Sequence, residues 1–366
     1  MSRKSLQISV PGKLFIAGEY AVLDGCPAIV IAVNRYMRGM ITSSSEYQLS
    51  LPDLGLNSIS WSYVNGELQF STPAEPFTFV KNALEISLQF VSENNIPHTP
   101  FSLQITSELD DASGKKYGLG SSAATVVTTI TAVLHFFMEE APSRELIFKL
   151  AALAHFKTQG SGSCADIAAS TFGGWLQYTM FDQNWLVKEM TRKKSLNEIV
   201  FQTWPALKIQ QLPPPEHLHL CVGWTGEKAS TPSMVGKIQN LKQEYESDYK
   251  QFLQTSKESV EKIAAGIRMK DAQHVISGLK QNRAALKQLG DLTGVAIETE
   301  VLEKMITIAH QYGVGKSSGA GGGDCGIAFV QDQFSKEKLV EKWRRENIQP
   351  LDLAVSFTGV TVKQVE

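Results

Sequence analysis

Gly118-Leu119-Gly120-Ser121-Ser122-Ala123-Ala124 stands at the head of a stretch, residues 117–138, that contains no Asp, Glu, Lys or Arg. Ser121, Ser122, Thr125, Thr128, Thr129 and Thr131 interrupt its apolar residues, so the expectation is a buried helix, not a membrane span. Two glycines ahead of a helix let the backbone approach a ligand closely. The free N–H groups and the dipole of a helix start favour an anion such as phosphate. A serine hydroxyl at that point can also ligate a magnesium ion carried on phosphates. An ordinary serine-capped helix start has the same look, and the segment alone leaves both open.

Two familiar phosphate motifs compete for these residues. A Walker A loop needs Gly-Lys-Ser/Thr at its end, whereas Lys115 and Lys116 precede the glycines here. A dinucleotide fingerprint fits the letters, and Glu139 lies about 20 residues on. That fingerprint follows a strand through a tight turn. Here a charged loop separates Gly118 from a strand-like run ending near Ser107.

Two further segments carry chemistry. Residues 315–326 hold six glycines in twelve positions and lead into the apolar run Ile327-Ala328-Phe329-Val330. Glycine at that density costs backbone entropy, and the adjoining strand argues for tight geometry over a loose linker. Pro11-Gly12-Lys13-Leu14-Phe15-Ile16-Ala17-Gly18-Glu19-Tyr20 places a lysine after a glycine turn in an apolar context. Alone, such a lysine reads as a surface charge.

The rest of the chain sets limits. With 366 residues, 43% apolar and 20% charged, it has material for a large core and roughly two domains. Thirty-five basic against 37 acidic residues leave −2, too balanced for a nucleic-acid binder or a polybasic membrane binder. Cys26, Cys164, Cys221 and Cys325 show no metal-binding spacing and read as reduced thiols of a cytoplasmic protein. No secretory signal is expected after Met1. Strands are expected at 6–10, 28–33, within 47–72 (with an Asn65-Gly66 turn), at 101–105, 175–180, 219–224, 327–330 and near 353–362. Helices are expected at 77–94, 143–157, 164–171, across 233–289 and 298–312, and at 335–346. Pro205 and Pro213-Pro214-Pro215 mark the best boundary, giving domains 1–205 and 206–366. Elements mixed without βαβ alternation favour α+β. Trp61 can stack on a base or fill a β core. His155, between Ala154 and Phe156, reads as packed.

Taken together, the order Pro-Gly-Lys…Gly-Glu-Tyr-Ala-Val-Leu, Gly-Leu-Gly-Ser-Ser-Ala-Ala and Lys-Ser-Ser-Gly-Ala-Gly-Gly-Gly-Asp-Cys-Gly resembles the GHMP small-molecule kinases. The segments span 11–328. The first and third look most like the bacterial branch that phosphorylates phosphomevalonate, as does Trp224-Thr225-Gly226 with Ser230 and Thr231. Mevalonate-directed members usually read Gly-Glu-His where this chain has Gly18-Glu19-Tyr20.

The resemblance implies an α+β fold with a ribosomal-S5-like N-terminal domain and a ferredoxin-like C-terminal domain. ATP and phosphomevalonate would meet between them, with no nucleic acid or membrane as partner, in a monomer or homodimer. It implies that Lys116, Gly118, Leu119, Gly120, Ser121, Ser122 and Ala123 hold the ATP phosphates, with Ser122 on Mg2+. Lys13 and Asp166 become catalytic, and Arg38, Ser163, Ser317, Ser318, Gly319 and Ala320 acceptor-binding. Lys157 and Arg192 are further candidate cations. The runners-up are a mevalonate kinase and a family member that senses ligand without turnover.

Overall fold

The computed structural model describes residues 4–365 except 65, 112, 193, 228–230 and 243. Asn65 and Ser230 therefore lie outside the described residues, as does the side chain of Thr231. The chain begins β1 (Ser5–Ala17), β2 (Ala28–Ser43), β3 (Gln48–Leu51), β4 (Leu56–Val64), β5 (Glu67–Phe70), α1 (Thr78–Glu93), β6 (Phe101–Ser107), α2 (Ser121–Phe137), α3 (Arg144–Gln159), α4 (Ala165–Phe172) and β7 (Trp175–Thr179). It continues α5 (Gln183–Thr191), α6 (Leu196–Val200), β8 (Lys208–Leu212), β9 (His219–Trp224), α7 (Thr231–Leu241), α8 (Glu246–Met269), α9 (Ala272–Thr293), α10 (Glu300–Ala309), β10 (Gly313–Ser317), β11 (Cys325–Val330), α11 (Gln333–Arg345), β12 (Gln349–Leu351) and β13 (Thr361–Gln364).

These elements build two sheets. The first runs β13-β1-β2-β6-β3-β4-β5, with β7 pairing β2 and β8 pairing β7. The second runs β10-β11-β9-β12. This is the mixed α+β architecture expected. Strand pairing does not follow the 205/206 line: β8 and the C-terminal β13, both beyond it, belong to the first sheet.

Helix α2 packs on β1 and β2, α4 packs on β1, β2 and β7, and α1 and α3 pack on α2. The uncharged composition of α2 follows from this position: Val126, Val127, Ile130, Val133 and Leu134 are buried around it. Each such side chain contributes about 1.5–3 kcal/mol by leaving water. Among the described residues no helix is long and apolar enough to cross a membrane. Trp61 fills the β core, its ring 4.2 Å from that of Tyr47 and 5.4 Å from that of Phe101. His155 is buried beside Phe79, ring centres 5.2 Å apart.

Two expectations need correcting. Residues 11–13 are not a glycine turn: β1 runs straight through them, and its register with β2 shifts between Pro11 and Gly12. Pro11 pairs with Tyr36 and Gly12 with Val33, so Asn34 and Arg35 bulge out of β2. A proline cannot donate to the ladder, and a bulge is where a strand tolerates one. Most of the expected last strand, 353–362, is likewise not strand: β12 ends at Leu351 and β13 begins at Thr361, with an irregular crossing between the sheets.

Candidate active site

The three segments converge. Gly118 and Gly120 hold left-handed φ of +81° and +83°, and α2 starts at Ser121 with no side-chain cap. A Cβ on Gly118 would stand 2.5 Å from Cβ of Asp324, and one on Gly120 2.9 Å from Cγ of Lys13. The loop is thus clamped between the first and third segments, and only glycine fits at both points. The Lys13 amide donates to the Leu119 carbonyl at 2.8 Å, and its Nζ donates to the Gly118 carbonyl at 3.0 Å. Cys325 Sγ lies 3.0 Å from the Tyr117 carbonyl and donates to it. Burial and the Asp324 carboxylate push this thiol far up, with Lys13 opposing, so it stays a donor.

Around that clamp, Ser121 and Ser122 are half-buried, while Ala123 and Leu119 are buried. Neither serine hydroxyl is used by another described side chain or carbonyl, and the uncapped first turn of α2 offers its N–H groups and positive dipole end. Lys116 is exposed at the rim, where its backbone bridges Asp110. Burial raises the Asp110 carboxyl, against a Ser107 hydrogen bond and the Lys116 charge. Lys115, the rival, is exposed too.

Helix α4 brings Asp166. Cys164 adopts a left-handed φ of 56° to start it, and Asp166 sits half-buried in the first turn, its Oδ1 accepting the Ile167 amide at 3.0 Å. One turn on, buried Ser170 donates to the Pro11 carbonyl at 2.8 Å. That bond ties the Asp166 helix to β1 two residues before Lys13. Lys13 and Asp166 form no direct ion pair. Ser163 Oγ accepts the Ala165 amide at 3.3 Å, and its carbonyl accepts the Tyr178 hydroxyl at 2.6 Å. The Cys164 thiol is raised by burial and by Asp166, consistent with a buried filler rather than a nucleophile.

The glycine-rich loop is fastened to the first segment from the other side. Ser318 Oγ donates to the Phe15 carbonyl at 2.8 Å, and the Tyr20 hydroxyl donates to the Ala320 carbonyl at 2.5 Å. Burial, then Glu19, pushes the Tyr20 phenol well above its ordinary value. Ser317 is buried at the end of β10. Gly319 turns with φ +80° and has no neighbouring heavy atom within 4 Å of its missing Cβ.

The basic residues sort differently from expectation. Arg38 is engaged elsewhere on the sheet: its Nε lies 3.0 Å from Glu108 Oε1, and its guanidinium donates to Ser9 Oγ at 2.7 Å. Lys157 pairs with Glu85 at 2.6 Å and Arg192 with Glu189 at 3.0 Å. Arg35, missed in the sequence, lies 5.3 Å over the Tyr117 ring, directly before the glycine loop. It has no carboxylate partner among the described residues. Tyr117 packs in turn edge-on to Trp224, 5.0 Å between ring centres. The β2 bulge that swings Arg35 out depends on the β1 register. Its one local signal is its place two residues after the apolar run 28–33.

Residues 78–174 match the GHMP kinases N terminal domain and residues 270–349 the GHMP kinases C terminal domain. The curated phosphomevalonate kinase of Streptomyces sp. (strain CL190) is 32% identical, over 96% of this chain and 97% of that protein. The chain belongs to the GHMP kinase family. Among solved structures, the Lin0012 protein from Listeria innocua superposes with a TM-score of 0.93 at 41% identity, covering 99% of each chain. The Streptococcus pneumoniae phosphomevalonate kinase, in complex with phosphomevalonate and AMPPNP, superposes with a TM-score of 0.81 at 27% identity, over 96% of this chain and 99% of that one. The likeness of this GHMP kinase to phosphomevalonate kinases thus extends over nearly its full length.

Proposed function

We propose that this chain is an ATP-dependent phosphotransferase that moves the γ-phosphoryl group of ATP onto the phosphate of (R)-5-phosphomevalonate. The products are 5-diphosphomevalonate and ADP, in the mevalonate route to isoprenoids. The observation that carries this is the helix-start loop clamped between Lys13 and the third segment, in a chain that resembles phosphomevalonate kinases end to end. The N–H groups at the start of α2, with Gly118, Leu119, Gly120, Ser121, Ser122 and Ala123, hold the ATP phosphates, and Lys116 adds charge at the rim. Lys13 polarises the attacking oxygen and offsets charge on the transferring group. Ser163, Ser317, Ser318, Gly319 and Ala320 frame the acceptor. Beside Lys13, Arg35 over the Tyr117 ring is the further cation we assign to the meeting phosphates, since Arg38 is held by Glu108.

Magnesium fits as an ion carried on the nucleotide. Among the described residues no group of three His, Cys, Asp or Glu side chains could cage a metal, and the Ser122 hydroxyl at the helix start is uncommitted. When bound, the ion neutralises charge on the phosphoryl oxygens. We read the enzyme as cytoplasmic, and as a monomer or homodimer.

A phosphate acceptor changes what Asp166 must do. Its second pKa is near ~6, so at neutral pH the attacking oxygen is mostly ionised and no strong base is needed. Asp166 then orients Lys13, the acceptor or the metal. Asp166→Asn is expected to keep kcat within about tenfold of wild type; a far larger loss restores the base role.

The test is ADP release with magnesium-ATP and phosphomevalonate, mevalonate, galactose or homoserine in parallel. Turnover with phosphomevalonate alone is expected. Turnover with mevalonate instead overturns the acceptor, and ATP binding without turnover of any of them favours a ligand sensor.

A further inference from the structure

Glu19 and Lys316 carry charge where charge is costly. Glu19, two residues past β1, is 2% exposed, and Lys316, in β10, is 1% exposed. Lys316 Nζ pairs with Glu19 Oε1 across 297 positions of sequence and donates to the Ser317 carbonyl at 2.6 Å. The second carboxylate oxygen, Glu19 Oε2, is buried and has no hydrogen-bond partner among the described residues. An apolar pair of similar volume usually holds a fold as well as a buried ion pair, because both ions must be stripped of water. An orphaned carboxylate oxygen worsens that balance. Stability is therefore a poor account of the pair. Registration of one segment against another is a better one.

What the pair registers is visible in its neighbours. Its two side chains join the end of the Lys13 strand to the start of the glycine-rich loop. Tyr20 adds its bond to the Ala320 carbonyl at 2.5 Å, and Ser318 its bond to the Phe15 carbonyl at 2.8 Å. All three ties run from β1, or the residues just after it, to residues 316–320. Gly319 stands between them with its outer side open. The Lys13 strand and the loop thus form one piece, and the spacing between Lys13 Nζ and the loop backbone is fixed by groups that face the interior.

Resting on the acceptor assignment above, we infer that Glu19, Lys316 and Tyr20 form a buried buckle that holds the 317–320 loop in register with Lys13 and so sets acceptor affinity. They are positioning residues that act through the loop backbone at 317–320, whereas the ATP loop meets the third segment further on, at Asp324 and Cys325.

The experiment compares wild type, the double variant Glu19→Leu/Lys316→Met, and Tyr20→Phe. Thermal midpoint, kcat, and separate KM values for phosphomevalonate and magnesium-ATP are measured for each. The double variant leaves no unpaired buried charge. It is expected to fold, to raise the acceptor KM about tenfold or more and to leave the ATP KM within about twofold. Tyr20→Phe, which removes one hydrogen bond and no charge, is expected to raise the acceptor KM about threefold with the ATP KM unchanged. It keeps the inference testable if the double variant does not fold. Unchanged acceptor KM values, or equal shifts in both KM values, overturn the buckle. Wild-type turnover of phosphomevalonate is the control. If another acceptor is turned over instead, the assignment fails and the same two KM values on that acceptor test the buckle. Silence on every acceptor overturns both.

Discussion

The two loops that flank Lys13 are built on opposite plans. Residues 118–123 present backbone N–H groups, half-buried serine hydroxyls and an uncapped helix end, with few side chains committed. Residues 317–320 are laced to the Lys13 strand by a buried ion pair and two side-chain hydrogen bonds. On the proposed function, the first plan serves to hold what every nucleotide triphosphate shares, a string of phosphates, through donors that any helix start supplies. The second fixes a shape, which is what discrimination among small acceptors requires. Lys13 belongs to both, touching the first loop through its Nζ and carrying the second on its strand.

That contrast can be broken at its hinge. Lys13→Met is expected to lower kcat roughly 10²–10³-fold, the loss typical of removing one group aimed at transition-state charge. The thermal midpoint should stay close to wild type, because Lys13 is not a core residue. A loss confined to one KM would assign the lysine to a single loop. The next largest effect tests the generic side. Gly120→Ala forces a side chain into φ +83° and 2.9 Å from Lys13 Cγ, and is expected to raise the magnesium-ATP KM about tenfold to a hundredfold. An equal rise for the acceptor would erase the distinction between the loops.

The smallest effect sharpens the electrostatics. Arg35→Ala is expected to reduce kcat/KM about threefold to tenfold, since among the described residues its guanidinium has no carboxylate partner and it lies over Tyr117, just before the glycine loop. Arg38→Ala is expected to stay within about twofold, because Glu108 and Ser9 already occupy it. Reversal of that order in the same assay would return the acceptor cation to Arg38.

The contrast also explains what could be read in advance. The 118–124 loop was legible because its signal is local: glycines, serines and an uncharged helix in one run. Asp166 and Lys13 can be singled out in the sequence only through the company of the other segments. The Glu19–Lys316 pair was not, because its partners are 297 positions apart and no periodicity links them. The position of Arg35 over Tyr117 was not legible, because it turns on a two-residue register difference opposite Pro11. The long helices were legible nearly to their ends, since burial on one stripe writes itself into spacing, whereas the short α5 and α6 were not, having too few turns to set up a repeat. That β8 and β13, both beyond the 205/206 boundary, pair into the first sheet was not legible, because sheet membership depends on pairing that distant residues complete.

The acceptor claim is most directly tested by following the reaction with 31P NMR. Magnesium-ATP, phosphomevalonate and wild-type protein should give a growing pair of coupled diphosphate resonances as the γ-phosphate signal declines and ADP appears. A new uncoupled phosphate monoester signal with the phosphomevalonate phosphate left intact, meaning transfer to a hydroxyl instead, would contradict it.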